Sequence, residues 1–163
     1  MVTSIKGNAT STFGGNVDVT GNVITDAPAF SAYANAGTAI SASTWTKVPM
    51  NVERFDTNNC YDTTNYRFTP NVAGYYQFNG AMGTVSGGSA GFFVVGLYKN
   101  GSAYTYGSNY PAHSANGPNS VISSLIYMNG STDYVELYIL SAVSGTTYSD
   151  SVRYFDGHLA RAV

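Results

Sequence analysis

Apolar and polar positions alternate with a period of two along most of the chain, which predicts strands. In residues 74–78, Tyr76 and Phe78 share one face while Tyr75 and Gln77 share the other. Residues 29–34 alternate as a first strand, and residues 39–50 predict a second with Trp45 and Val48 in the core. Pro49 confines that strand to an edge or an end. Residues 51–55 lead into a loop at Asp56, residues 81–85 prolong the strand after Phe78, and Ser86-Gly87-Gly88-Ser89 is a flexible break. Residues 92–98 are apolar on both faces, as expected for a strand buried in a sandwich and again in a subunit interface. In residues 134–140, Val135, Leu137 and Ile139 fall on one face, and residues 151–162 form a closing strand.

Turn chemistry divides these strands. Pro70 and Gly74 fold the strand ending at Phe68 against the next one. Asn100-Gly101 predicts a tight hairpin returning along residues 102–106, and Asn129-Gly130 predicts a second turn between residues 121–128 and 134–140. Gly145-Thr146 marks a further turn, and residues 110–119, with Pro111, His113, Gly117 and Pro118, form a long surface loop. No stretch has sustained helical periodicity. The expectation is an all-β, two-sheet sandwich.

Composition changes this picture in two ways. With 7 basic and 9 acidic residues in 163, the chain has no basic patch for nucleic acid. A folded monomer of this mass exposes roughly 8,000 Å², so the charge density is low for a free monomer. A surface of Ser, Thr and Asn, combined with burial in an oligomer, accounts for it. Cys60 is the lone cysteine, which leaves a small buried hydrophobe as its expected role. Residues 1–6 lack the apolar core of a secretory signal, and no run is long enough to cross a membrane. Synthesis in a cytoplasm is therefore expected.

Residues 1–27 differ from residues 28–163. Gly7-Asn8, Gly15-Asn16 and Gly21-Asn22 head an imperfect repeat of about six residues. Its apolar groups, Ile5, Phe13, Val17, Val19, Val23 and Ile24, are too sparse to fold alone and too many for a linker. An attachment arm that orders on another protein or on sister arms is expected. Such Gly-Asn-Val repeats are similar to those preceding the tips of bacteriophage fibre proteins.

Met50, Asp56, Tyr61, Phe68, Gly74, Tyr76 and Phe78 form a spaced set. This set resembles the signature of the C1q-like family, the globular head of a complement component, related to the tumour-necrosis-factor-like jelly rolls. Met50 stands where the family has Phe, and Gly80 stands where it has an aromatic. The resemblance covers residues 28–163, including the aromatic-small-Gly pattern of residues 154–159. It implies a ten-stranded jelly roll and a homotrimer, with Tyr75, Phe92, Val94 and Tyr98 as interface candidates.

Candidate chemistry is sparse. His113 and His158 have no zinc-ligand spacing, and no Ser lies in a nucleophile motif. Asp56, Asn58, Asn59 and Asp62 offer oxygen ligands in one loop, but without the glycine and closing glutamate of a calcium loop. A solvated turn is expected there, with neither metal nor cofactor. Tyr104, Tyr106 and Tyr110 are amphipathic groups suited to stacking on sugars or contacting a partner. The function expected is a non-enzymatic bacteriophage virion protein. Its trimeric head would act as a tail-fibre tip or host-surface-binding module, touching a glycan or protein, with the arm held by other virion proteins. A capsid decoration trimer and a soluble bacterial carbohydrate-binding module are the alternatives.

Overall fold

The computed structural model describes residues 27–86, 91–111, 119–149 and 152–163, and every regular element among them is a strand. In chain order these are β1 (Ala29–Tyr33), β2 (Ala39–Ile40), β3 (Thr46–Lys47), β4 (Val52–Asp56) and β5 (Tyr61–Asp62). There follow β6 (Arg67–Phe68), β7 (Gly74–Met82), β8 (Thr84–Ser86), β9 (Phe92–Lys99) and β10 (Ser102–Tyr106). The last five are β11 (Tyr110–Pro111), β12 (Ser120–Met128), β13 (Val135–Ser141), β14 (Gly145–Thr147) and β15 (Tyr154–Ala162). An antiparallel front sheet has the order β12-β7-β15-β1-β4. The back sheet has the order β10-β9-β13-β6-β5, with β11 added on β9 and β3 on β13, and β2-β14-β8 forms a third small sheet. The arm residues Ile5, Phe13, Val17, Val19, Val23 and Ile24 lie outside the described residues.

Period-two patterning sorts the side chains as expected. Tyr76, Phe78 and Met82 of β7 and Ile126 and Met128 of β12 are buried against Phe93, Val95 and Leu97 of β9 and Val135, Leu137 and Ile139 of β13. At the centre, Phe30 of β1 stacks on Tyr61 at 4.8 Å and on Phe68 at 4.5 Å, and meets Phe155 edge-on at 4.9 Å. Phe68 in turn packs against Tyr76 and Phe78 from the opposite sheet, at 5.6 and 5.8 Å. The spaced motif is thus one physical object. Met50 accepts a 2.8 Å hydrogen bond from the Tyr61 hydroxyl through its carbonyl, and the Asp56 carboxylate accepts one of 2.7 Å from the Tyr61 N–H. A Cβ at Gly74 would stand 2.4 Å from the Arg161 carbonyl, so only glycine lets β7 and β15 approach.

Several turn expectations are corrected. Asn100-Gly101 does close a hairpin between β9 and β10, with φ of 53° and 76° as a type I′ turn demands. The turn at Thr69-Pro70-Asn71 makes no such pair. β6 belongs to the back sheet and β7 to the front, so the two meet face to face across the core. Asn129-Gly130 also carries the chain from front to back, since β12 pairs β7 and β13 pairs β9. There the Asn129 carboxamide accepts the N–H groups of Ser131, Thr132 and Asp133, while Gly130 (φ 71°) lies against Val72 and Ala73. The strand expected over residues 39–50 is broken at Ser43, whose φ is 57°, leaving β2 and β3 in different sheets. Residues 145–147 form β14 rather than a turn, and β7 stops at Met82 before β8 departs to the small sheet.

Two predictions follow from this core. Tyr76→Ala and Phe78→Ala each cost about 3–5 kcal/mol in denaturant unfolding, while Gln77→Ala, on the outward face, costs less than either. The second concerns pH. Burial raises the Tyr61 phenol and pushes that of Tyr76 up to about 12. Both are held protonated in the fold and ionise first in the unfolded chain. Stability from them is therefore complete below about pH 10 and is lost as pH rises toward about 12. A melting series across that window falls steeply in the parent protein and less steeply in Tyr76→Phe.

Candidate interaction surfaces

A two-sheet sandwich has two outward faces, and here each carries aromatic side chains that the core does not use. On the front sheet, Tyr127 of β12 pairs with Tyr75 of β7, which pairs with Arg161 of β15. One step along, Leu125, Gln77 and His158 line up, and beyond them Ser123, Asn79, Asp156 and Ser31. Tyr75, Leu125 and Tyr127 are 41–51% exposed, and the two tyrosine rings meet at 5.6 Å. Four of the polar side chains beside them are already bonded together. Asn79 donates to Asp156 at 2.9 Å, Ser123 donates to Asn79 at 2.9 Å, and Gln77 donates to Ser123 at 2.9 Å.

On the back sheet, the outward positions of β9 are Phe92, Val94, Gly96 and Tyr98. They explain why this strand is apolar on both phases. Its second face is covered largely by the same chain: Trp45 and Tyr106 lie over Gly96, where a Cβ would meet Trp45 Cζ3 at 3.0 Å and Tyr106 Cδ1 at 3.2 Å. Trp45, expected in the sandwich core, sits outside it because the break at Ser43 turns its segment over the sheet. Its ring stacks on Tyr106 (5.0 Å, 16°) and meets Tyr98 edge-on (5.6 Å), and Tyr98 stacks on Tyr138 (4.0 Å, 22°). Below them Lys47 and Glu136 pair at 2.7 Å. Burial raises the phenols of Tyr98 and Tyr138.

The residues singled out in the sequence therefore divide. Tyr75 is on the front face, whereas Phe92, Val94 and Tyr98 are on the back, so the four do not form one surface. Tyr106 joins the Trp45 cluster, Tyr104 is half exposed beside a bulge in β10, and the Tyr110 side chain lies outside the described residues. Leu125 and Tyr127 were missed, although β12 is apolar on both phases at its end. The loop carboxylates act as turn caps. Asp56 accepts the Asn58 and Tyr61 N–H groups, and Asp62 accepts those of Thr64 and Asn65 together with the Asn65 carboxamide, which hold its carboxyl below the usual range. Among the described residues no three His, Cys, Asp or Glu side chains come together as a metal site.

No family model matches the chain, and no curated protein does. Solved structures do match. The globular domain of zebrafish complement 1qA superposes with a TM-score of 0.64 at 16% identity, covering 83% of this chain and 99% of that one. Murine APRIL gives 0.60 at 8% identity over 82% and 98% of the two chains, and Eiger TNF from S. frugiperda gives 0.60 at 8% over 83% and 93%. The fold is the C1q and tumour-necrosis-factor jelly roll. The expected ten strands correspond to no simple count among the described residues, where eight of the fifteen segments run five residues or more and the rest only two or three.

A substitution at Gly96 tests the back-face packing. Gly96→Val places methyl groups where Trp45 and Tyr106 now lie. Because Trp45 is the only tryptophan, its displacement is expected as a red shift of the protein's emission, with the front-face and core residues untouched.

Proposed function

We propose that this chain is a non-enzymatic bacteriophage virion protein, a homotrimeric jelly-roll head that contacts the host surface as a tail-fibre tip and is held to the particle by residues 1–27. The observation that supports this best is the exposed band of Tyr75, Leu125 and Tyr127 on the front sheet. These side chains project from the long strands β7 and β12, whose pairing with each other fixes their positions. Beside them Gln77, Ser123, Asn79 and Asp156 are hydrogen-bonded to one another. Covering this face with a second copy therefore removes apolar area from water while leaving few hydrogen-bonding groups unpaired. The sparse charge of the whole chain points the same way. The Gly-Asn-Val repeats of the arm support the virion context.

The purified protein is expected to show a mass of three chains of 17.2 kDa by light scattering at micromolar concentration. Leu125→Arg, which sets a charge into the band, is expected to give monomers with near-parent secondary structure. A monomeric parent protein rules out the trimer. Negative-stain imaging of particles labelled with an antibody to the chain tests the location: label at the fibre ends is expected. Label over the capsid replaces the tip with a decoration trimer, and unlabelled particles leave a soluble carbohydrate-binding module.

A further inference from the structure

The back-face cluster has a chemistry that a purely structural patch does not need. Aliphatic residues would cover Gly96 as well as Trp45 and Tyr106 do, and would carry no polar edges. Instead the four rings run in one contiguous row, Tyr106, Trp45, Tyr98 and Tyr138, with Tyr106 55% exposed and the other three partly so. Mutual stacking fixes their orientations before anything binds, so little side-chain freedom remains to be lost.

Charge narrows the occupant. Glu136 beneath the rings is a carboxylate whose side chain is only 5% exposed, and Lys47 at 2.7 Å neutralises it. The same ammonium donates to the Asn65 carbonyl at 3.2 Å. Among the described residues two of its three donors are thus engaged, which leaves the third for a ligand at the edge of the row. With the two charges cancelling, the cluster offers an ionic ligand no counter-charge, while aromatic faces, phenol hydroxyls and one fixed ammonium donor are retained. A neutral pyranose matches this arrangement: its C–H face stacks on aromatic rings and its rim hydroxyls accept and donate hydrogen bonds. For a phosphate or sialylated ligand the nearby cations are already balanced within the chain: Lys47 by Glu136, and Arg67, opposite Glu136 on β6, by Asp62 beside it on β5.

We propose that the Trp45–Tyr106–Tyr98–Tyr138 row, with Lys47 and Glu136, is a binding site for a neutral saccharide. This deepens the host-contact part of the function proposed above and names its ligand class. Trp45 makes the test direct, because the protein's only tryptophan lies in the site. The full-length protein is titrated with malto-, cello- and chito-tetraose while its emission is followed, and is applied to an array of neutral and acidic glycans. At least one neutral glycan is expected to change the emission saturably. Tyr106→Ala, at an exposed position, is expected to weaken that binding about tenfold or more, and Tyr106→Phe is expected to retain most of it. Tyr106→Leu keeps the bulk and loses the ring, so it serves if the alanine variant folds poorly. Binding only to acidic glycans, binding unaffected by either Tyr106→Ala or Tyr106→Leu, or no binding to any neutral glycan overturns the proposal. A proline-rich peptide that produces the emission change in place of sugars also overturns it. None of these outcomes touches the trimer or the virion location, which scattering and imaging test separately.

Discussion

Phe30 is the side chain on which the two sheets depend. It comes from the first strand of the front sheet, yet its ring stacks on Tyr61 and Phe68, which the short strands β5 and β6 of the back sheet supply. Short strands have few ladder hydrogen bonds of their own, so β5 and β6 depend on this aromatic contact and on the Asp56 cap to stay in place. The contact also fixes what is allowed around it. A Cβ at Gly157 would stand 2.7 Å from Phe78 and 3.0 Å from Phe30, so the closing strand crosses the rings at a position without a side chain. The last strand is thereby tied to the first through β1 pairing and through the rings at once.

That dependence explains why part of the fold was legible. The spacing of Met50, Asp56, Tyr61, Phe68, Gly74, Tyr76 and Phe78 records a loop, a cap and a crossover of fixed length: Tyr61 bonds to Met50 and Asp56, Phe68 packs on Tyr76 and Phe78, and Gly74 lets β15 approach. The alternation in β7 and β13 was legible for the simpler reason that one face of each is fully buried.

What stayed hidden has a common cause. Asn-Gly and Pro-x-x-x-Gly report that the chain turns, but the local chemistry is the same whether it turns within a sheet or between sheets. At Asn100-Gly101 both φ values are positive and the partner strand is the next one. At Asn129-Gly130 the asparagine carboxamide gathers three N–H groups instead, and the destination is set by where Val72 and Ala73 lie, residues distant in sequence. Trp45 was misplaced for a related reason. A large aromatic in an alternating stretch suggests the core, and nothing near it announces that Gly96, fifty-one positions on, leaves a vacant place on the outer face.

The scarcity of charge acquires a more specific meaning from the two faces. Among the described residues Lys47 is paired with Glu136 and Lys99 with Asp133, while Arg54, Arg67 and Arg153 lie over the rings of Tyr33, Tyr134 and Tyr148. Burial alone would raise the Asp133 carboxyl, but hydrogen bonds from Asn100, Lys99 and the Asn129 N–H outweigh it and hold it below the usual range. These pairs act as staples at strand ends and add nothing to long-range attraction. A surface so depleted gains little from electrostatic steering, and its recognition must rest on shape, stacking and hydrogen bonds. The front face meets that requirement with aliphatic and tyrosine side chains bordered by bonded polar side chains, the back face with rings over a neutralised pair. Two surfaces that differ in this way suit two different partners, and the proposed function uses them so, with self-association on the front sheet and outward contact on the back.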